Sequence, residues 1–180
     1  MEEQELEQLR YPIGKFSRPE SIKQEDIDSY IKTIEALPNK LIHAVYGMME
    51  EQLDTQYRPE GWTIRQVVHH LADSHLNSYI RFKWALTEDK PTIKAYDEKL
   101  WADLPDASSG PIEVSLKLLE ALHARWAMVL KNMSEDDLNK TFVHPESGQE
   151  VRLDVNVALY AWHCEHHYAH IMEVKKSKGW

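Results

Sequence analysis

Trp162-His163-Cys164-Glu165-His166-His167-Tyr168-Ala169-His170, near the C-terminus, places four of the chain's ten histidines within eight residues. On an α-helix, at about 100° per residue, His163 and His167 stand one turn apart on the same side, with His170 beside them and Cys164 and Glu165 turned away. The i, i+4 spacing brings two imidazoles to one point in space, and imidazole is the commonest protein metal ligand. The stretch therefore reads as half of a metal site on a long helix, and a second helix must supply the remaining ligand. Its resemblance to the metalloprotease motif H-E-x-x-H fails at the glutamate, which is third rather than second. About 200° of helical rotation separates Glu165 from His163, so it is no zincin base.

Working outward, Asp154 is expected to N-cap this last helix, which runs to about Lys176. Before it, Thr141-Phe142-Val143 and Glu150-Val151-Arg152-Leu153 flank Glu146-Ser147-Gly148-Gln149 as a small hairpin. A third helix opens with Pro111 in its first turn and continues through Leu116, Leu119, Leu122, Trp126, Val129 and Leu130 to about Asn132; Ser134 caps a short extra turn. Residues 87–110 read as a long irregular connection, of the kind that is often functional. The second helix starts at the capping box Thr63-Ile64-Arg65-Gln66 and runs to about Leu86. The first spans about Gln24 to Met49, with Ile27, Ile31, Ile34, Leu37, Leu41 and Val45 at helical spacing and Pro38 expected to kink or divide it. Residues 1–20, with Tyr11-Pro12-Ile13-Gly14 and Pro19, suit an extended N-terminal arm. Four long helices with long connections make an all-α single domain over residues 1–180, a four-helix bundle in which metal sites are built from facing helices.

The second helix carries three candidates for the missing ligand. A helical wheel puts His75 near the middle of the apolar face, His69 past one edge and His70 past the other, in a polar stripe with Ser74, Asn77 and Arg81. Periodicity slightly favours His75, whereas a stripe that formed a pocket wall would favour His70; spacing leaves the choice open. Asn77 and Arg81 read first as a solvated face, Cys164 as packing, and Trp101 as a loop residue able to line a pocket.

The composition narrows the partners. A net charge of −9 with scattered basic residues lacks the basic patch that nucleic acid requires. One cysteine excludes an internal disulfide and fits a reducing compartment. The acidic start lacks the basic region of a signal peptide, and no apolar run approaches the roughly 18 residues of a spanning helix. A cytoplasmic protein acting on a small molecule, without nucleic-acid or membrane partners, is expected.

Val67-Val68-His69-His70-Leu71-Ala72-Asp73-Ser74-His75, preceded by Gly61-Trp62-Thr63, together with His163-x-x-x-His167 and Tyr11-Pro12-Ile13-Gly14, resembles the DinB-like superfamily. Within it the resemblance is to the YfiT group of metal-dependent hydrolases, and it covers nearly the whole chain. It implies a four-helix bundle, a homodimer, and one divalent metal on three histidines. Carried over by motif, these are His70, His163 and His167, which sets His75 aside. Three imidazoles leave a coordination position open, as in catalytic zinc sites. Imidazole suits several metals, with zinc or nickel the first expectation. The resemblance also implies an alternative chemistry, transfer of a low-molecular-weight thiol such as bacillithiol; a binding module without turnover is a third reading. On these expectations His166 and His170 support the site and His75 is a hydrogen-bonded core residue.

Overall fold

The computed structural model describes residues 3–180. Among the described residues of the arm, Glu3–Arg10 form a helix, α1, and the chain is free of helix and strand from Tyr11 to Lys23. The expected extended arm is thus corrected over its first part: the punctuation that suggested it, Tyr11-Pro12 and Gly14, lies past the helix and stops it. Helix α2 (Gln24–Val45) buries Ile27, Ile31, Ile34, Leu37, Leu41, Ala44 and Val45, and Pro38 lies inside it without dividing it. A proline has no N–H, so the carbonyl four residues earlier, that of Ile34, loses its intrahelical donor.

After the short α3 (Glu50–Leu53) comes α4 (Ile64–Thr87). Its start is the reciprocal cap legible in the sequence: the Gln66 N–H donates to the Thr63 hydroxyl, and the Thr63 N–H to the Gln66 side chain. The connection that follows holds two short helices, α5 (Glu98–Ala102) and α6 (Pro105–Ser108), where irregular chain was expected. Each is about one turn, too short to show a period; Asp97 caps the first by accepting from the Lys99 and Leu100 N–H groups. Pro111 precedes rather than opens α7 (Ile112–Lys131), and Ser134 caps α8 (Glu135–Asn139). Strands β1 (Thr141–Val143) and β2 (Glu150–Arg152) pair antiparallel with Phe142 opposite Val151, the expected hairpin.

Helix α9 (Leu153–Lys178) starts one residue before the expected cap. Asp154 therefore lies inside the first turn, where its carboxylate accepts from the Arg152 guanidinium and the Val155 N–H.

Helix α2 packs against α7 and α9, and α4 packs against the same two. The ring order is therefore α2, α7, α4, α9. The two consecutive long helices α2 and α4 sit on a diagonal, and α4 becomes the neighbour of α9. That arrangement brings the two histidine-bearing helices face to face. The core between the four holds Trp126, Phe82, Ile34, Leu71, Leu119 and Ile171, all fully enclosed. Arg65, a residue only 3% exposed, ties the neighbouring connections to α4: its guanidinium donates to Asp54, Glu50 and the Gly110 carbonyl. Among the described residues, no helix is long and apolar enough to cross a membrane.

Candidate metal centre

Helix α4 contributes His70, and α9 contributes His163 and His167; one ring nitrogen from each lies within 4.8 Å of the others. The Nε2 atoms of His70 and His163 are 3.3 Å apart. The His167 ring centroid is 4.8 Å from that of His70 and 4.5 Å from that of His163. Trp62, just before α4, covers the cluster with its ring 4.5 Å from His70. His70 and His167 are buried and His163 is half-buried.

Burial, aided by the nearby His166, pushes the His70 pKa down to about 4. His163 and His167 lie well below the ordinary histidine value for the same reason, each depressed further by the neighbouring imidazoles. All three are therefore neutral near pH 7, the form in which imidazole binds a metal. The donor set of the cluster is three imidazole nitrogens, without thiolate or carboxylate.

The other histidines divide by partner. His69 Nε2–H donates to the Gly110 carbonyl, and its Nδ1 accepts from the Ser115 hydroxyl, so both ring nitrogens are spent on holding α4 to the α6–α7 junction. His75 is fully buried and faces His123 and His163. His170 donates from Nε2 to the Arg10 carbonyl at the end of α1 and stacks on Tyr57 at 4.0 Å, with its Nδ1 3.4 Å from that of His167. His166 stacks on Trp162 at 4.4 Å, and its buried Nδ1 has no hydrogen-bond partner among the described residues. His166, His167 and His170 form a second close trio that shares His167 with the first. Cys164 is enclosed on the far side of α9, where burial pushes its thiol up and away from the thiolate form.

Two cavities meet at His163. The larger, about 780 Å³, is lined by all three histidines of the cluster, by Trp62 and by Arg10 and Tyr11 of the arm. The other, about 540 Å³, is lined by Ser74, Arg81, Tyr96 and Tyr160. Glu98 and Lys99 line both, as does His163. Ser74 and Arg81 of the polar stripe are thus a pocket wall. Asn77 instead turns its amide back to the Asp73 carbonyl, and Trp101 packs on Tyr96 at 4.6 Å. Glu98, Lys99 and Tyr96 were not singled out by the sequence; their only signal was the length of the connection that carries them.

A bundle whose neighbouring helices turn three neutral imidazoles toward a cavity defines a class of histidine-centred helical proteins. The chain belongs to the DinB superfamily, whose model matches residues 33–171. A Bacillus cereus (strain ATCC 10987 / NRS 248) protein named "Putative metal-dependent hydrolase" is 54% identical over 175 residues, 97% of this chain and 100% of its own length. A Bacillus anthracis (strain A0248) protein of the same name is 53% identical over the same shares. Among solved structures, YfiT from Bacillus subtilis, described as "a probable metal-dependent hydrolase with an unusual four-helix bundle topology", matches with a TM-score of 0.94. The identity is 47%, over 96% of this chain and 99% of that one. A mutant of the mycothiol-dependent maleylpyruvate isomerase shares the fold alone, with a TM-score of 0.60 at 14% identity over 78% of this chain and 60% of that one.

Proposed function

We propose that the chain is a metal-dependent hydrolase of a small molecule, holding one divalent ion, zinc or nickel, on His70, His163 and His167. The observation that carries this reading is the convergence of three neutral imidazole nitrogens within 4.8 Å on the wall of a cavity. The donor set fits such an ion, because each ring is held uncharged by burial and, among the described residues, no Cys, Asp or Glu joins the trio. When bound by three imidazoles a divalent metal supplies Lewis acidity, either lowering the pKa of water to about 7 or polarising a carbonyl.

The chain's own residues supply the rest. Glu98, the carboxylate common to both cavities, is the proton carrier in this reading; the residue is exposed at the cavity mouth, and partial desolvation of its carboxyl shifts its pKa upward. Lys99 beside it opposes that shift and offers a cation to the substrate. Trp62 screens the His70 face from water, and Arg81, whose buried Nε has no hydrogen-bond partner among the described residues, offers a donor in the smaller cavity. We propose further that the chain assembles as a homodimer: sedimentation at twice the chain mass is expected, and sedimentation as a monomer would contradict it.

The test is turnover of ester and amide substrates by metal-loaded protein, with and without a low-molecular-weight thiol. Hydrolysis without thiol, abolished by chelator and restored by metal, is expected. Turnover of electrophiles only when thiol is present would replace the reading with an S-transferase. Metal uptake without turnover across both panels would leave a binding module.

A further inference from the structure

Because residue 38 is a proline, the Ile34 carbonyl has no helical donor. His123 of α7 takes that place: its Nδ1–H donates to the Ile34 oxygen at 2.6 Å. The polarity of a chain of imidazoles follows from this one bond. A carbonyl only accepts, so Nδ1 of His123 must carry the proton. A neutral imidazole has a single N–H, so His123 Nε2 is an acceptor, and it lies 2.8 Å from His75 Nδ1. His75 Nδ1 must then be the donor, and His75 Nε2 the acceptor, 3.0 Å from His163 Nδ1. His163 donates there, and its Nε2 is left bare. That is the atom which faces His70.

Each long helix contributes one link: α2 the carbonyl, α7 His123, α4 His75 and α9 His163. His123 and His75 are 1% and 0% exposed, and burial lowers the pKa of both, that of His123 to about 4. Two buried imidazoles are a poor choice for filling space, since every unpaired ring nitrogen carries a desolvation cost. Here all four of their nitrogens are used.

We infer that His75 and His123 are positioning residues which, anchored on the Ile34 carbonyl, lock His163 in its Nδ1–H tautomer and so present its Nε2 lone pair to His70 and His167. The tautomer assignment stands on these hydrogen bonds and on the neutrality of two fully buried rings; its use in holding a metal rests on the function proposed above. Partners of this kind fix the orientation of a ligand and raise its basicity, and losing one typically weakens metal affinity about 10–100-fold.

The test starts with metal-free wild-type protein carrying isotope-labelled histidine. Long-range proton–nitrogen correlation spectra should show His123, His75 and His163 all protonated on Nδ1; an Nε2–H form of His163 or His75 overturns the inference. Two variants follow, read by titration with nickel. His123→Leu keeps volume but breaks the chain, and should weaken nickel binding about 10–100-fold while releasing the His163 tautomer. His123→Gln can still donate to Ile34 and accept from His75, and should restore both. Wild-type affinity and an unchanged His163 tautomer in His123→Leu would contradict the inference. If that variant fails to fold, the wild-type spectrum and His123→Gln still decide. The assigned tautomers in a protein that takes up no nickel would support the chain of bonds and sink the metal reading.

Discussion

His69, His70 and His75 stand on one helix and have three different occupations. The wheel placed His75 on the apolar face, and it is indeed fully enclosed. Burial, however, did not make it part of the trio. What separates His70 from His75 is the register of α4 against α9, a tertiary quantity that periodicity cannot contain. His123 was equally hidden: it sits between Leu119 and Trp126 on the apolar face of α7, and its role depends on a carbonyl freed by Pro38 on another helix. At this scale two outcomes are expected. His69→Ala strips partners from Ser115 and Gly110 and should cost about 1–3 kcal/mol in urea unfolding, with nickel affinity unchanged. Glu98→Gln should lower kcat about 10²–10⁴-fold, the usual span for removing a proton-transfer group, while metal content stays at the wild-type level; loss of metal instead would make Glu98 part of the binding site.

Elements were legible where their signals are local. The α4 cap, the α8 cap and the β1–β2 hairpin rest on neighbouring residues alone, and each is where spacing put it. Thr63→Ala should therefore cost about 1 kcal/mol, the usual worth of an N-cap hydroxyl, seen as a lower urea midpoint. Helices α5 and α6 escaped because one turn has no periodic face, and α1 because the breakers that follow it dominated the reading. Those missed turns carry the site's outer wall. Their anchor is Gly110, whose carbonyl receives both Arg65 and His69. A Cβ there would stand 2.2 Å from the Asp106 carbonyl oxygen, so the backbone would have to shift. Gly110→Ala should accordingly lower the melting temperature and loosen the α5–α6 segment, visible as faster amide exchange at residues 98–110.

The ring order α2, α7, α4, α9 lets buried histidines of α4, α7 and α9 meet between the helices. They are held neutral there: His70, His123 and His166 titrate near 4 and His170 near 3. The unfolded chain takes up these protons near the ordinary value of about 6.5, so between roughly 6.5 and 4 it binds more protons than the folded one. Stability of the metal-free protein should be fully present above about pH 6.5 and fall steadily as pH drops toward 4; a flat profile across that window in chemical denaturation would contradict the burial. A ligand that binds only the folded bundle stabilises it by mass action, so nickel or zinc should raise the melting temperature at neutral pH. The most direct measurement is elemental analysis of protein purified without added metal, made on wild type, His70→Ala and His163→Ala in parallel. About one divalent ion per chain in the wild type, and little in either variant while both remain helical, is what a centre shared by α4 and α9 predicts; full occupancy in both variants would contradict it.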